Sequence, residues 1–318
     1  MRNGAHLANY GTEELGRLRT VMLHRPVDSI HLVNSGNYVF HLFDSPPDPD
    51  RYLAEHARYA ALLRSLGVEV IELSEHVHAN RALLQTLPNL AYMHDVCVVT
   101  GRGAILSRMM PGTRSGEDTV VKEALHALGV PVWWEFGPGD QFEGCLLLSP
   151  RTIFIAGTER HSRQSIAKFI PKALDGFGEV IYAEIPQERR YMHPDMVLNR
   201  ISRELMLAYL PAFKRTYRVT KSGLDEIEFS TLMKSRGIEV ISISDDEQRR
   251  WGCSFVPIEP DMIVHYDISL ARETRRLLTN RGVEIIDFHP DALLAGGGSL
   301  RCLTLRLWRE PDGVAQPR

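Results

Sequence analysis

A chain of 318 residues can bury roughly three quarters of the surface it exposes when unfolded, so it needs no disulfide framework to hold a core. With 24% charged and 44% hydrophobic residues and a formal net charge of -3, the composition excludes disordered and collagen-like chains. It also provides no basic footprint for nucleic acid or an anionic membrane. Cys97, Cys145, Cys253 and Cys302 form no C-x-x-C pair, which fits a reducing compartment and suggests neither a zinc knuckle nor disulfides. No apolar run approaches the length of a membrane span, and the first residues lack the apolar stretch of a secretory signal. The expected location is the cytoplasm and the expected partner a small molecule, with homo-oligomerisation left open.

In chain order, a strand candidate at Thr20 to Leu23 leads to a helix with Asp48 as N-cap, Pro49 at its first position and Tyr52, Tyr59, Leu63 and Leu66 at helical spacing. His56 shares that stripe. The helix ends at Gly67, and the β-rich run Gly67-Val-Glu-Val-Ile-Glu-Leu73 follows. The same sequence of events returns four times. A strand at Val96 to Val99 precedes a helix over about 117–128 and the run Gly129-Val-Pro-Val-Trp-Trp-Glu135. A strand at Arg151 to Ala156 precedes a helix over 162–176 and the run Gly178-Glu-Val-Ile-Tyr182. A helix over 223–236 precedes Gly237-Ile-Glu-Val-Ile-Ser242. Last, a strand at Met262 to His265 and a helix over 269–280 precede Gly282-Val-Glu-Ile-Ile-Asp287. Successive glycines are 62, 49, 59 and 45 residues apart, too irregular for a solenoid but compatible with five modules carrying different loops. Such modules arranged around an axis would close into a particle; an ordinary doubly wound α/β sheet is the competing architecture on pattern alone.

Four stretches carry chemistry. Cys302 follows Ala295-Gly-Gly-Gly-Ser-Leu-Arg301 and opens the apolar strand Leu303-Thr-Leu-Arg-Leu307. Consecutive glycines allow backbone to approach a bound group, so a thiol placed just after them is either a nucleophile or a structural buried cysteine. Tyr191-Met-His-Pro-Asp195 offers an imidazole and a carboxylate that point the same way if the backbone is extended. The alternatives there are a solvated loop or a metal site, the latter lacking a third ligand at a recognisable spacing. Asp95 and Glu143 each adjoin an apolar strand, where a carboxylate is either hydrogen-bonded structurally or holds a cation. Together, a thiol, an imidazole and carboxylates from different modules suit a planar cationic substrate, with carboxylates taking its N–H groups and sulfur attacking carbon.

These residues resemble the arginine deiminase and amidinotransferase superfamily of guanidine-modifying enzymes. The resemblance rests on motifs that occur in the family's order. They are Leu18-Arg-Thr-Val-Met-Leu-His-Arg-Pro26, Leu42-Phe-Asp44, Glu55-His56, Leu87-Pro-Asn-Leu90 with Asp95, Gly157-Thr-Glu-Arg-His-Ser-Arg-Gln164, Met192-His-Pro-Asp195 and Gly296-Gly-Gly-Ser-Leu-Arg-Cys302. It implies one catalytic domain over 1–318 with the pentein fold, a five-bladed α/β propeller of ββαβ-type modules with pseudo-fivefold symmetry. The modules would run roughly over 17–75, 87–136, 140–186, 190–245 and 250–310. It further implies Cys302 as nucleophile, His193 as general acid/base, Asp95 and Asp195 as guanidinium-binding carboxylates, and Glu143 beside His193. Arg114 and Arg160 match arginines that bind a substrate α-carboxylate, and Asn89 a residue near its α-amino end. As unpaired buried cations these two arginines would favour an amino acid over agmatine.

The implied activity is hydrolysis of L-arginine, or a close analogue, to citrulline and ammonia through a covalent amidino-cysteine, without metal or organic cofactor. An amidinotransferase, a dihydrolase giving ornithine, and a non-catalytic binding protein on the same scaffold are the alternatives. Three departures bear on this choice. The helical insertion that bacterial arginine deiminases carry before the Pro-Asn motif is missing between Leu73 and Leu87. His94 stands where an Arg usually precedes the catalytic Asp, and Cys145-Leu146 replaces Gly-Asp after Glu143-Gly144.

Overall fold

The computed structural model describes residues 6–311. Its strands form five separate sheets, and each repeats one arrangement: an antiparallel pair whose second strand is joined on its other side by a parallel strand. A helix lies between the two parallel strands in sequence, since a parallel connection needs a crossover. The second sheet holds Cys97–Thr100, Gly103–Leu106 and Val132–Glu135 around helix Glu117–Ala127. The third holds Leu146–Ser149, Thr152–Gly157 and Glu179–Glu184 around Arg163–Phe177. In the fourth, Leu198–Arg200, Leu205–Ala208 and Glu239–Ser242 flank Phe229–Ser235. The fifth joins Val256–Glu259, Met262–Tyr266 and Glu284–Phe288 around Arg272–Thr279. The first sheet is assembled from both ends of the chain. Leu18–Leu23 lies between Glu69–Glu72, its parallel partner, and the last strand, Leu305–Arg309, its antiparallel one.

The five glycines expected to stop helices have φ between 71° and 85°, a left-handed conformation that a side chain makes costly. The five β-rich runs after them are the five parallel strands. Helix Pro49–Ser65 begins where Asp48 accepts a hydrogen bond from the Arg51 amide, and it buries Tyr52, His56, Tyr59 and Leu63. The helix expected over 223–236 is shorter. Gly223–Glu226 instead pairs with Arg215–Thr220, and this hairpin extends the third sheet beside Glu179–Glu184. The helix starts only after Glu228, whose carboxylate caps the amides of Ser230 and Thr231. No sheet closes on itself among the described residues.

Helix Pro49–Ser65 also supports the segment that carries Cys302. Glu55, 5% exposed, accepts hydrogen bonds from the amides of Asp291 (2.8 Å), Ala292 (2.6 Å) and Leu293 (3.2 Å). One turn further along, Tyr59 Oη meets Thr304 Oγ1 at 2.6 Å and Leu300 O at 3.3 Å. A carboxylate satisfying three amides and a phenol anchoring the following turn fix the loop on both sides of the nucleophile candidate. The strand expected from Leu303 begins at Leu305, because Cys302 to Thr304 belong to a tight turn in which Leu303 N donates to Ser299 O.

Candidate active site

Asp95, Glu143, Asp195, Ser254 and Cys302 each stand just before the first strand of a different sheet. The equivalent position in five repeated units therefore supplies five polar side chains to one place. Asp95 and Asp195 are held in single 3-10 turns, Met93–Asp95 and Pro194–Met196. The second turn means that the condition of an extended backbone is met at His193 but not at Asp195. Proline starts the turn, the Met196 amide closes it on His193 O, and the two side chains meet different partners, Glu143 and Asp95 for His193 and Ser254 for Asp195.

Cys302 Sγ is buried, 3.3 Å from Ser299 Oγ, 3.8 Å from Ser254 Oγ and 3.9 Å from Asp195 Oδ2. Ser254 Oγ links these groups, at 2.5 Å from Asp195 Oδ2 and 2.6 Å from Ser299 Oγ. Burial, then the negative charges of Asp195 and Asp95, push the Cys302 thiol up from its ordinary value. The resting sulfur is thus a neutral thiol facing two carboxylates.

His193 lies between two more contacts of the same sign. Its Nε2 is 2.9 Å from Glu143 Oε2 and its Nδ1 3.3 Å from Asp95 Oδ1. Burial opposes its charge, but Asp95 and Glu143 outweigh that opposition and raise its pKa. Glu143 is fully buried, yet the His193 hydrogen bond and charge, with the charges of Arg160 and Arg114, hold it down at about 2. The carboxylates on either side thus favour the protonated imidazole, a group able to give a proton in one step and take it back in another.

Arg114 is not an unpaired cation. It bonds Asp95 Oδ2 through Nη1 at 2.8 Å, Glu117 through Nε at 2.9 and 3.1 Å, and Tyr92 O through Nη2 at 3.2 Å. Arg160 is more loosely held, with Nη1 3.5 Å from Glu143 Oε2, Nε 3.3 Å from Glu159 Oε1 and Nη2 3.6 Å from the Met192 sulfur. The expectation that both lack partners in the absence of a substrate carboxylate is therefore corrected, because carboxylates of the protein already face them. Asn89 is buried in the turn Pro88–Ala91, and its amide donates to His41 O.

The triple glycine serves close packing rather than open space for a ligand. A Cβ at Gly296 would lie 1.6 Å from Tyr92 Oη, one at Gly298 2.4 Å from the same ring, and one at Gly297 2.7 Å from the Asp44 carboxylate. Tyr92, Asp44 and the loop before Cys302 are therefore in direct contact. Ser254 and Tyr92 are site-building residues that sequence reasoning missed, while Glu55 and Ser299 stood in the quoted motifs without a role assigned to them. Ser299 had a local signal, three residues before Cys302 behind the glycines, and Glu55 had one beside His56.

Two carboxylate oxygens remain. Asp95 Oδ1, whose one close cation is His193 Nδ1 at 3.3 Å, and Asp195 Oδ1 are sealed from solvent and accept no hydrogen bond among the described residues. Such oxygens are costly unless something supplies N–H groups. No group of three His, Cys, Asp or Glu side chains among the described residues is arranged to hold a metal ion.

A thiol, an imidazole and two carboxylates with open acceptor sites, presented by repeated α/β units, are the arrangement of the guanidine-modifying superfamily. Comparison with known proteins agrees. The family sequence model described as Arginine deiminase matches residues 73–309, and the chain belongs to that family. It is accordingly an enzyme acting on the C–N bonds of an amidine group. The arginine deiminase of Mycoplasma capricolum is 24% identical over 390 aligned positions, which take in 93% of this chain and 96% of the relative. That alignment is longer than the chain itself, so the relative carries segments this chain lacks. Among solved structures, the N-terminal domain of ArgZ bound to its substrate, from a cyanobacterial arginine dihydrolase, superposes with a TM-score of 0.70 at 19% identity. It covers 90% of this chain and 97% of that one. AgrE in complex with ornithine and NAD+ gives a TM-score of 0.70 at 19% identity, covering 93% of this chain. The chain spans only about two fifths of the AgrE length, 39%. These neighbours share the chain's fold, a mixed α/β arrangement of several small sheets. No helix among the described residues is long and apolar enough to cross a membrane.

Proposed function

We propose that this enzyme hydrolyses L-arginine to citrulline and ammonia through a covalent amidino-cysteine on Cys302, in one catalytic unit whose five sheets are the blades of a propeller. The observation that carries the reading is the pair of unpartnered oxygens, Asp95 Oδ1 and Asp195 Oδ1, beside a buried thiol. A guanidinium supplies the N–H donors that these two oxygens lack. The propeller arrangement is supported by the shared strand pattern, by the last strand completing the first sheet, and by five units each contributing one residue to the site.

Binding of the cation removes the electrostatic reason for the raised Cys302 pKa, so substrate itself promotes thiolate formation. The sulfur attacks the guanidino carbon and forms a C–S bond. His193 then gives its proton to the departing nitrogen, and the C–N bond breaks to release ammonia. A water molecule, deprotonated by His193, attacks the same carbon. The C–S bond breaks, yielding the ureido product and the free thiol. The thiol proton lost to solvent on substrate binding leaves with ammonia as ammonium, and the departing sulfur recovers a proton from the protonated ureido product. His193 ends protonated as it began, so arginine and water become citrulline and ammonium. Asp95 and Asp195 hold the planar group in line with the sulfur. Arg160, the less fully bonded of the two arginines, is the proposed partner of the α-carboxylate, whereas Arg114 orients Asp95. Asn89 is the proposed contact near the α-amino group. Four free cysteines suit a reducing cytoplasm.

A second reading, hydrolysis onward to ornithine, is favoured by one observation: the chain covers 97% of the ArgZ N-terminal domain and, like the shorter members, lacks the helical insertion. One experiment separates the outcomes. Purified enzyme is incubated with arginine, with and without glycine, while ammonia, citrulline, ornithine and guanidinoacetate are measured. Citrulline with equimolar ammonia supports the first reading, and ornithine with two equivalents of ammonia the second. Guanidinoacetate formed only with glycine identifies an amidinotransferase. Product formation by Cys302→Ala refutes all three.

A further inference from the structure

Two buried hydroxyls stand between Cys302 and Asp195, and the reaction above gives neither a task. Ser254 and Ser299 are both 0% exposed, so each hydroxyl hydrogen finds its acceptor inside the protein. The acceptors fix its direction. Asp195 Oδ2 lies 2.5 Å from Ser254 Oγ, and an ionised carboxylate only accepts, so Ser254 commits its one hydrogen there. The 2.6 Å contact between Ser254 Oγ and Ser299 Oγ still needs a hydrogen, which Ser299 has to supply. Ser299 Oγ is then only an acceptor toward Cys302, whose sulfur is 3.3 Å and whose amide nitrogen is 3.4 Å away. In the free enzyme, where Cys302 keeps its proton, the chain runs one way, from Cys302 to Ser299 to Ser254 to Asp195.

We infer that this chain is a hydroxyl switch: a guanidinium on Asp195 reverses it, so that Ser299 turns from Ser254 to the sulfur and donates to the Cys302 thiolate. The inference rests on the reading of Cys302 as a nucleophile toward a guanidine. Once substrate N–H groups occupy the open Oδ1 of Asp195, the carboxylate draws the Ser254 hydrogen less strongly. The sulfur pulls from the other end, because a charged acceptor takes a hydrogen bond about twice as strong as a neutral one. Ser254 O–H turns to Ser299, and Ser299 O–H turns to sulfur. Both hydroxyls only rotate; no covalent bond breaks in the reversal, and the thiol proton leaves to solvent. The 2.6 Å contact between the serines holds one hydrogen in either state. Ser299 touches the reacting sulfur, whereas Ser254 acts through it and is a positioning residue. The other charged or titratable groups around the sulfur are Asp95, Arg301 and the phenols of Tyr59, Tyr92 and Tyr266, with His193 3.3 Å beyond Asp95. Burial raises all three phenols, so they stay neutral while the thiol titrates in the presence of the cation.

The test follows alkylation of Cys302 by iodoacetamide in the full-length enzyme across neutral and alkaline pH, with and without millimolar guanidinium chloride. Wild type, Ser299→Ala and Ser254→Ala are compared, and Cys302→Ala gives the background from the other thiols. Guanidinium should lower the apparent thiol pKa of the wild type. Ser299→Ala should label like the wild type when free, since the Ser299 hydrogen is turned away from the resting sulfur, and should lose about tenfold of the acceleration by guanidinium. In Ser254→Ala the Ser299 hydrogen has no serine to face and turns to the sulfur already in the free enzyme, so the acceleration should shrink as well. Equal acceleration in all three proteins overturns the switch and leaves the guanidine reading standing. A wild type indifferent to guanidinium overturns the guanidine reading, and the switch with it. Neutron diffraction from deuterated wild-type crystals decides without any variant. Deuterium on Ser299 Oγ should point to Ser254 in the free enzyme and to Cys302 with guanidinium bound, and an unchanged orientation refutes the reversal.

Discussion

Replacing Glu143 by glutamine tests the charge arrangement around His193 most directly. The side chain keeps its shape and can still accept from the Met110 amide, which Glu143 Oε1 now bonds at 2.7 Å. The negative charge 2.9 Å from His193 Nε2 is lost. Glu143 is held at about 2 against an ordinary value of 4.5. At about 1.4 kcal/mol per pH unit, this corresponds to about 3 kcal/mol of folding stability. Because the folded pKa is depressed, that contribution is fully present above pH 4.5 and is lost as pH falls through about 2. Urea unfolding at neutral pH should show the variant destabilised by about 3 kcal/mol, with a shallower loss of stability on acidification than the wild type. His193, whose raised pKa depends on Asp95 and Glu143, should lose its proton at lower pH. If protonated His193 is needed for amine departure, the alkaline limb of the rate profile then moves to lower pH. Stability and pH profile both matching the wild type would refute the coupling of Glu143 to His193.

The neutral thiol implied by the raised pKa of Cys302 should react slowly with iodoacetamide at pH 7 and faster as pH rises, and millimolar guanidinium ion should accelerate labelling; rapid labelling of the free enzyme at pH 7, followed by intact mass, contradicts this. Asp195→Asn should cost on the order of 2–5 kcal/mol in kcat/KM, as when one side of a desolvated charge pair is removed; wild-type kinetics would remove Asp195 from the site. Gly296→Ala places a methyl 1.6 Å from Tyr92 Oη and should lower stability by about 1–3 kcal/mol while reducing kcat through displacement of Cys302. Unchanged melting and unchanged kcat would show that the loop is not held by this contact. Arg160→Leu should raise KM for arginine more than for agmatine, and equal effects on the two substrates would exclude a carboxylate contact.

Sequence by itself determined the repeated unit. A helix stop by glycine is a property of one residue's backbone, and a β-rich run after it is a property of the next six, so five returns of helix, glycine and strand could be read without knowing where the units lie. The same holds for the Asp48 cap and for the order of the motifs ending in Cys302. The hairpin at Arg215–Thr220 and Gly223–Glu226 escaped this reading because its residues commit to a strand only on meeting Glu179–Glu184. The site is tertiary in a stronger sense. Cys302 and Asp195 meet across 107 positions, and Cys302 and Ser254 across 48, so Ser254 carries no local sign of its place beside the thiol. Whether Arg114 is a free cation or the partner of Asp95 and Glu117, and whether three glycines make room for a ligand or for Tyr92, depend on which groups the assembled sheets bring within hydrogen-bond and van der Waals range. Charge and packing act through space, and only the folded chain sets those distances.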